Sequence, residues 1–273
     1  MRPALTVLVI AALVIGGLKL LVMFAEPRMA FFPMAGEDVT PRQLGANFIA
    51  VDVASADGEI LHAWWLPRAG AKAQVVYFHG NGGNLSLWSP VLVRLQERGF
   101  SVFAVDYRGY GRSTGRPSER GLYKDADATL GVFDERVREP GVPVVYWGRS
   151  LGSCMAAYAA SRKAPDGVIL EAGFPDARHL LADYPVMWLF SWFSSYRFPT
   201  AEWMGGVTVP ALVMHGTDDS VIAFRHGQAL YDQLTGKKKF VAIQGGDHNE
   251  LEPPDPTVYW GAVDAFVASL RSR

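Results

Sequence analysis

Ser150, inside Gly148-Arg149-Ser150-Leu151-Gly152, is the side chain of this sequence best suited to attack an electrophilic carbon. A serine hydroxyl is a weak nucleophile at neutral pH. It needs a base within hydrogen-bond reach, and the base needs a carboxylate to hold its tautomer. The pattern Gly-x-Ser-x-Gly follows an apolar β-type run at 142–147 and precedes a helix-forming run at 153–160. A strand, a sharp turn and a helix with the serine at the apex make a nucleophile elbow. Glycine serves such a turn because it has no Cβ where backbones crowd. The free N–H groups of the helix start favour a developing anion.

Where an elbow of this kind sits on a sheet, the carboxylate and then the base follow the serine in chain order. Downstream of Ser150 the histidines are His179, His215, His226 and His248. His248 lies in the glycine-rich loop Gly245-Gly246-Asp247-His248-Asn249 after the last strand, and it is the expected base. His226 sits beside Arg225 in a helical stretch and reads as a surface residue. His215 ends a strand and reads as a buttress of the next loop, and His179 precedes the acidic candidates. Those candidates are Asp218 and Asp219 in His215-Gly216-Thr217-Asp218-Asp219. The pattern alone does not separate them: either orients His248, while one of them caps the helix near Phe224. Asp247 is too close along the chain to reach the ring of His248 and reads as a loop residue.

An acyl transfer also needs two N–H groups aimed at the tetrahedral oxyanion. The amide of Leu151 is the first. The second is expected from His79-Gly80-Asn81-Gly82-Gly83-Asn84, with Asn81 preferred and Gly82 as the second choice. No Gly-Lys-Ser/Thr follows, so this loop is not a phosphate loop. Asp106 to Ser113, with Arg108, reads as a fixed, internally paired loop rather than a substrate contact.

These residues need a scaffold, and the periodicity supplies one. Strand-like runs at 47–55 and 59–66 meet at Asp57-Gly58, a hairpin turn signal. Strands are then expected at 74–78, 100–105, 142–147, 167–170, 209–214 and 240–243, and helices at 85–98, 121–138, from the elbow to 163, 224–234 and 256–270. Pro90 suggests that the regular part of the 85–98 helix starts late. Apolar strands separated by helices form a mostly parallel sheet of about eight strands, covered on both faces. Ligands of such sheets bind beyond the carboxyl ends of the strands, which is where each of these motifs falls.

The chain has 273 residues and a net charge of −1, which gives no electrostatic case for nucleic acid. Its one cysteine, Cys154, excludes an internal disulfide and reads as a packing residue. No histidine–carboxylate grouping has metal spacing, so no metal or cofactor is expected. Residues 4–25 are almost continuously apolar, long enough to cross a bilayer as one helix. Without a small-x-small site near Ala25, an uncleaved transmembrane anchor at 1–25 is expected rather than a signal peptide. Residues 26–45, with Pro27, Pro33 and Pro41, read as a linker in which Phe31-Phe32-Pro33 packs on the domain or touches headgroups. Residues 46–273 form the domain. A short cap around 175–206 carries Trp188, Phe190, Trp192, Phe193, Phe198 and Trp203, expected to roof a pocket, dip toward the bilayer or pack in the core.

Taken in order, His-Gly-Asn-x-Gly-Asn, Asp-Tyr-Arg-Gly-Tyr-Gly-x-Ser, Gly-Arg-Ser-Leu-Gly, His-Gly-x-x-Asp and Gly-x-x-His-Asn resemble the membrane-anchored, depalmitoylase-like and serine aminopeptidase-type branch of the α/β-hydrolase superfamily. The resemblance implies an α/β-hydrolase fold, with Ser150 as nucleophile, His248 as base and Asp219 rather than Asp218 as acid. It also implies a membrane-bound serine hydrolase of acyl esters or thioesters, acting on a small acylated or lipid substrate. Its rivals are a serine peptidase and a catalytically silent membrane scaffold. Relatives often carry Gly-Gly after Ser-Leu. Here Ser153 stands at the second of those positions, where it either narrows the pocket or packs in the helix.

Overall fold

The computed structural model describes residues 2–250 and 254–270; the side chains of Arg2, Val186 and Phe190 lie outside that description. It opens with α1 (Arg2–Ala30), whose apolar side chains stand exposed. Within Pro3–Ala30 the most apolar 18-residue window has a mean hydropathy of 2.7, so the helix is long and apolar enough to cross a bilayer by length and composition, a property signal sequences share. The helix runs past the expected end at residue 25.

Residues 31–45 lie against the domain rather than free of it. A short strand β1 (Phe32–Pro33) pairs in parallel with β5 (Gly82–Gly83), beside the Asn81 loop. Phe31 is buried against Tyr196 and Phe198. The Glu37 carboxylate lies 2.6 Å from the buried His62 Nε2.

The main sheet has eight strands. Its antiparallel edge is the expected hairpin, β2 (Ile49–Ala54) and β3 (Ile60–Leu66). The others are β4 (Ala73–Phe78), β6 (Phe100–Val105), β7 (Val144–Arg149), β8 (Gly167–Glu171), β9 (Ala211–Gly216) and β10 (Lys238–Ile243), all mutually parallel. The order is β10-β9-β8-β7-β4-β6-β3-β2, with β3 antiparallel to β6. Successive side chains alternate between faces. Val76 and Phe78 of β4 join a cluster containing Leu122, Leu130, Met155 and Leu230. Val75 and Tyr77 join one containing Trp88, Leu92, Trp260 and Phe266. The first face is covered by α3 (Glu119–Val132), α4 (Leu151–Arg162) and α8 (Phe224–Gln233), the second by α2 (Leu85–Glu97) and α9 (Pro256–Leu270).

The helix at 85–98 starts on time despite Pro90. Asn84 caps it by accepting from the Leu87 amide at 3.2 Å. The Ser86 carbonyl, deprived of the Pro90 N–H, accepts the Ser89 hydroxyl at 2.9 Å instead. The helix expected over 121–138 changes pitch: α3 ends at Val132 and passes into a π turn, Phe133–Val137.

The cap divides into α5 (Ala177–Leu181), α6 (Pro185–Ser191) and α7 (Thr200–Gly205). Phe198 is buried in the core and Trp203 packs on it, whereas Trp188 and Trp192 stand exposed. Both carboxylate oxygens of Glu119 accept from the cap backbone, at Arg197 and Phe198, each at 2.7 Å.

Candidate active site

The elbow sits between β7 and α4. Ser150 has φ 56° and ψ −120°, in the positive-φ region that side chains avoid unless the surroundings impose it. Two bonds pin it: its N–H donates to Glu171 O at 2.8 Å, and its carbonyl accepts from Ser153 N at 2.9 Å. The flanking glycines are required by close approach. A Cβ on Gly152 would stand 1.9 Å from the Phe78 carbonyl oxygen, and one on Gly148 would stand 1.9 Å from the Gly152 oxygen. The same approach brings the end of β4 and its following loop alongside the serine.

His248 projects from the loop after β10. Its Nδ1 lies 2.7 Å from Asp219 Oδ2 and its Nε2 lies 3.0 Å from Ser150 Oγ. A carboxylate oxygen only accepts, so Nδ1 carries the proton and Nε2 is free to accept from the serine hydroxyl. Asp219 is almost fully enclosed, and each oxygen has a distinct duty. Oδ1 accepts the amides of Val221 and Ile222 at 3.0 and 2.6 Å. Oδ2 faces His248 and also His215 Nε2, at 3.3 Å. Burial pushes the Asp219 carboxyl up, but the bonds from His215, His248 and Ile222 outweigh it and hold the group well below the usual carboxylate range.

His215 is excluded as a base by its own bonds. Its Nε2 donates to the Ile222 carbonyl at 2.8 Å, so it buttresses the loop that holds Asp219. Asp218 is exposed and engages Thr217, away from the imidazole. Asp247 accepts from the Ser220 amide and hydroxyl at 2.8 and 2.7 Å, tying the loop that carries His248 to the one that carries Asp219. His226, read from sequence as a surface residue, is 5% exposed and lies 2.6 Å from Asp183 of the cap.

Leu151 is the first residue of α4, so its N–H has no carbonyl one turn earlier in the helix to bond. Asn81 lies in the loop beside the elbow. Its side-chain amide donates to the Ala30 carbonyl at 2.7 Å, and its own carbonyl and Oδ1 both accept from Tyr110 OH at 2.9 Å. His79 O is held by Tyr107 OH at 2.8 Å and Gly82 O by Trp88 Nε1 at 3.0 Å. With these carbonyls anchored, the loop has a fixed conformation. Ser153 does not line a pocket: it is fully buried and its hydroxyl donates to Ser150 O at 2.7 Å. Cys154 is also fully buried, and burial pushes its thiol up to about 12. In the Asp106–Ser113 loop, Asp106 accepts the Leu85 amide at 2.8 Å and Arg108 is paired with Asp125 and Asp57.

One contributor has no role assigned by the sequence reading. Arg149, the first variable position of Gly-x-Ser-x-Gly, is buried and donates to the carbonyls of His248, at 2.9 Å, and Glu250. It fastens the loop that carries His248 to the strand that leads into Ser150. A cavity of about 50 Å³ is lined by Trp147, Arg149, Glu171 and Asp219, and not by Ser150 or Leu151.

A family model described as serine aminopeptidase, S33, matches residues 69–205, a stretch that contains Asn81, Ser150 and Leu151. An uncharacterised protein of Mycobacterium tuberculosis is 30% identical over 267 residues, 97% of this chain and 95% of its own length. The alpha/beta hydrolase domain-containing protein 17B of Xenopus laevis is 32% identical over 184 residues, 67% of this chain and 62% of its own. The esterase Pf2001 of Pyrococcus furiosus superposes with a TM-score of 0.67 at 18% identity, covering 89% of this chain and 97% of that one, a likeness of fold.

Proposed function

This chain belongs to the α/β-hydrolase superfamily, and from that premise we propose that it is a membrane-anchored serine hydrolase that cleaves acyl esters or thioesters. The observation that carries the reading is the pair of hydrogen bonds linking Asp219, His248 and Ser150, residues 29 and 98 positions apart along the chain.

Ser150 Oγ attacks the acyl carbonyl while His248 Nε2 takes its proton. The ionised Asp219 stabilises the imidazolium and keeps the tautomer that presents a bare Nε2 to the serine. The amides of Leu151 and Asn81 receive the oxyanion. Nε2 then gives its proton to the leaving alcohol or thiol, and an acyl-enzyme remains. Water, deprotonated by the same nitrogen, releases the acid and restores the serine. The residues α1 lays out suit a single-pass anchor, which keeps the site near acylated or lipid substrates.

The test is a panel of p-nitrophenyl esters, acyl-CoA, lysophospholipids and aminoacyl anilides, run with the wild type and Ser150→Ala. Ester or thioester turnover that vanishes in the variant supports the reading. Turnover confined to the anilides favours a peptidase, and absence of fluorophosphonate labelling, or labelling unchanged in Ser150→Ala, favours a scaffold.

A further inference from the structure

The depth of the anchor helix fixes the depth of the cap. Residues 4–25 of α1 span about 33 Å at the helical rise, against a hydrocarbon core of about 30 Å. Glu26 therefore stands at the edge of that core. It is buried, and its carboxylate accepts from the Ser195 amide at 3.1 Å, the Ser195 hydroxyl at 2.6 Å and the Ser194 hydroxyl. Those serines lie three and four residues past the end of α6, and their bonds to Glu26 place them at its depth. Trp192 is two residues from Ser194, at most about 7 Å of chain.

The cap segment 184–196 contains no charged side chain. Among its described side chains, Leu189 is 58% exposed and Trp192 66%. Trp188 and Met187 are exposed beside them. Arg178 lies 6.0 Å from the Trp192 ring, and Arg197, exposed and ion-paired with Glu202, follows the segment; the acidic Asp183 that precedes it is paired with Arg225 and His226. Tryptophans flanked by arginines at the level where a spanning helix ends match the acyl–headgroup boundary. The segment continues toward the active site, because Tyr184 OH reaches the carbonyl of Val221, two residues from Asp219, at 3.3 Å.

We infer that α6 and the Trp192 turn form a membrane-contact surface that rests on the phospholipid bilayer crossed by α1, presenting the rim of the active site to lipid. This deepens the anchored-hydrolase reading and rests on its anchor. The occupant is lipid rather than a second copy of the chain because the patch is continuous, through Glu26, with the helix that enters the bilayer.

The full chain, reconstituted in phosphatidylcholine vesicles with and without doxyl-labelled acyl chains, tests it. An environment-sensitive fluorophore is placed on Leu189→Cys, Trp192→Cys, Val14→Cys within α1, and the exposed Ala164→Cys in the turn before β8, at the amino-terminal ends of the strands. The buried Cys154 gives the unlabelled background. The expected result is doxyl quenching at 14, 189 and 192, at least threefold stronger than at 164, with 189 and 192 shielded from aqueous iodide at every protein-to-lipid ratio. Quenching at 14 with none at 189 or 192 overturns the inference. So does iodide shielding there without doxyl quenching, which would mean that protein covers the patch. No quenching at 14 removes the anchor and the inference with it. Fluorophosphonate labelling of the same vesicles reports on the hydrolase reading separately: its loss with quenching intact refutes the chemistry and leaves the surface standing.

Discussion

Replacing Asp219 by Asn should cost about four orders of magnitude in kcat. The asparagine carbonyl can keep the place of Oδ1, which accepts the Val221 and Ile222 amides, so the turn has no reason to collapse. The amide nitrogen then replaces Oδ2, 2.7 Å from His248 Nδ1. A donor there forces the ring proton onto Nε2, which faces Ser150 Oγ at 3.0 Å and can no longer accept from it. Loss of a charge-assisted bond accounts for about 1.5–3 kcal/mol, and the wrong tautomer supplies the rest of about 5.5 kcal/mol, the figure for a roughly 10⁴-fold loss in a serine triad. Initial rates on a short p-nitrophenyl ester measure it, with KM nearly unchanged because Asp219 does not touch substrate. A variant within tenfold of the wild type would refute the assigned tautomer.

Four further outcomes follow from other contacts. The folded Asp219 carboxyl titrates below its unfolded value of about 3.9, so its stabilisation is present above that pH and lost as the pH falls through the folded value; denaturant titrations at pH 5 and pH 3 should show Asp219→Asn losing less stability on acidification than the wild type. Arg149→Met frees the His248 and Glu250 carbonyls from their shared donor; kcat should fall by about 10–100-fold with little change in KM, since a misplaced catalytic group costs about that much, and a wild-type kcat would show that the arginine does not position the histidine. Asp125→Ala leaves Arg108 buried without one of its two carboxylates and should cost about 3–5 kcal/mol in chemical unfolding. Gly152→Ala drives a Cβ to 1.9 Å from the Phe78 carbonyl and should give no folded protein, read from soluble yield and circular dichroism.

The residues that could be read directly were those with local reasons to be where they are. Apolar strand-like runs separated by helices and the Asp57-Gly58 turn marked the sheet, and the elbow marked Ser150. His248 and the two aspartates followed from chain order after it, and the family resemblance chose between Asp218 and Asp219. What could not be read depends on partners far away in sequence. Glu26 looks like an ordinary polar residue ending an apolar run, yet its partners are Ser194 and Ser195. His226 looks superficial beside Arg225, but Asp183 of the cap covers it. Arg149 occupies a variable position of its motif, so only the histidine loop folding over it gives it a task. Pro90 misled because a proline inside a helix is costly in isolation. Ser89 satisfies the carbonyl that it orphans, and the proline falls on the helix without ending it.

The central claim is that the hydroxyl of Ser150 is made nucleophilic by His248. The most direct measurement is the intact mass of the full chain after exposure to a fluorophosphonate, with the adduct mapped by peptide sequencing. The account requires one adduct per chain, located on Ser150, absent from Ser150→Ala and strongly slowed in His248→Ala. An adduct on another residue, or labelling unchanged when position 150 or 248 is alanine, would contradict it.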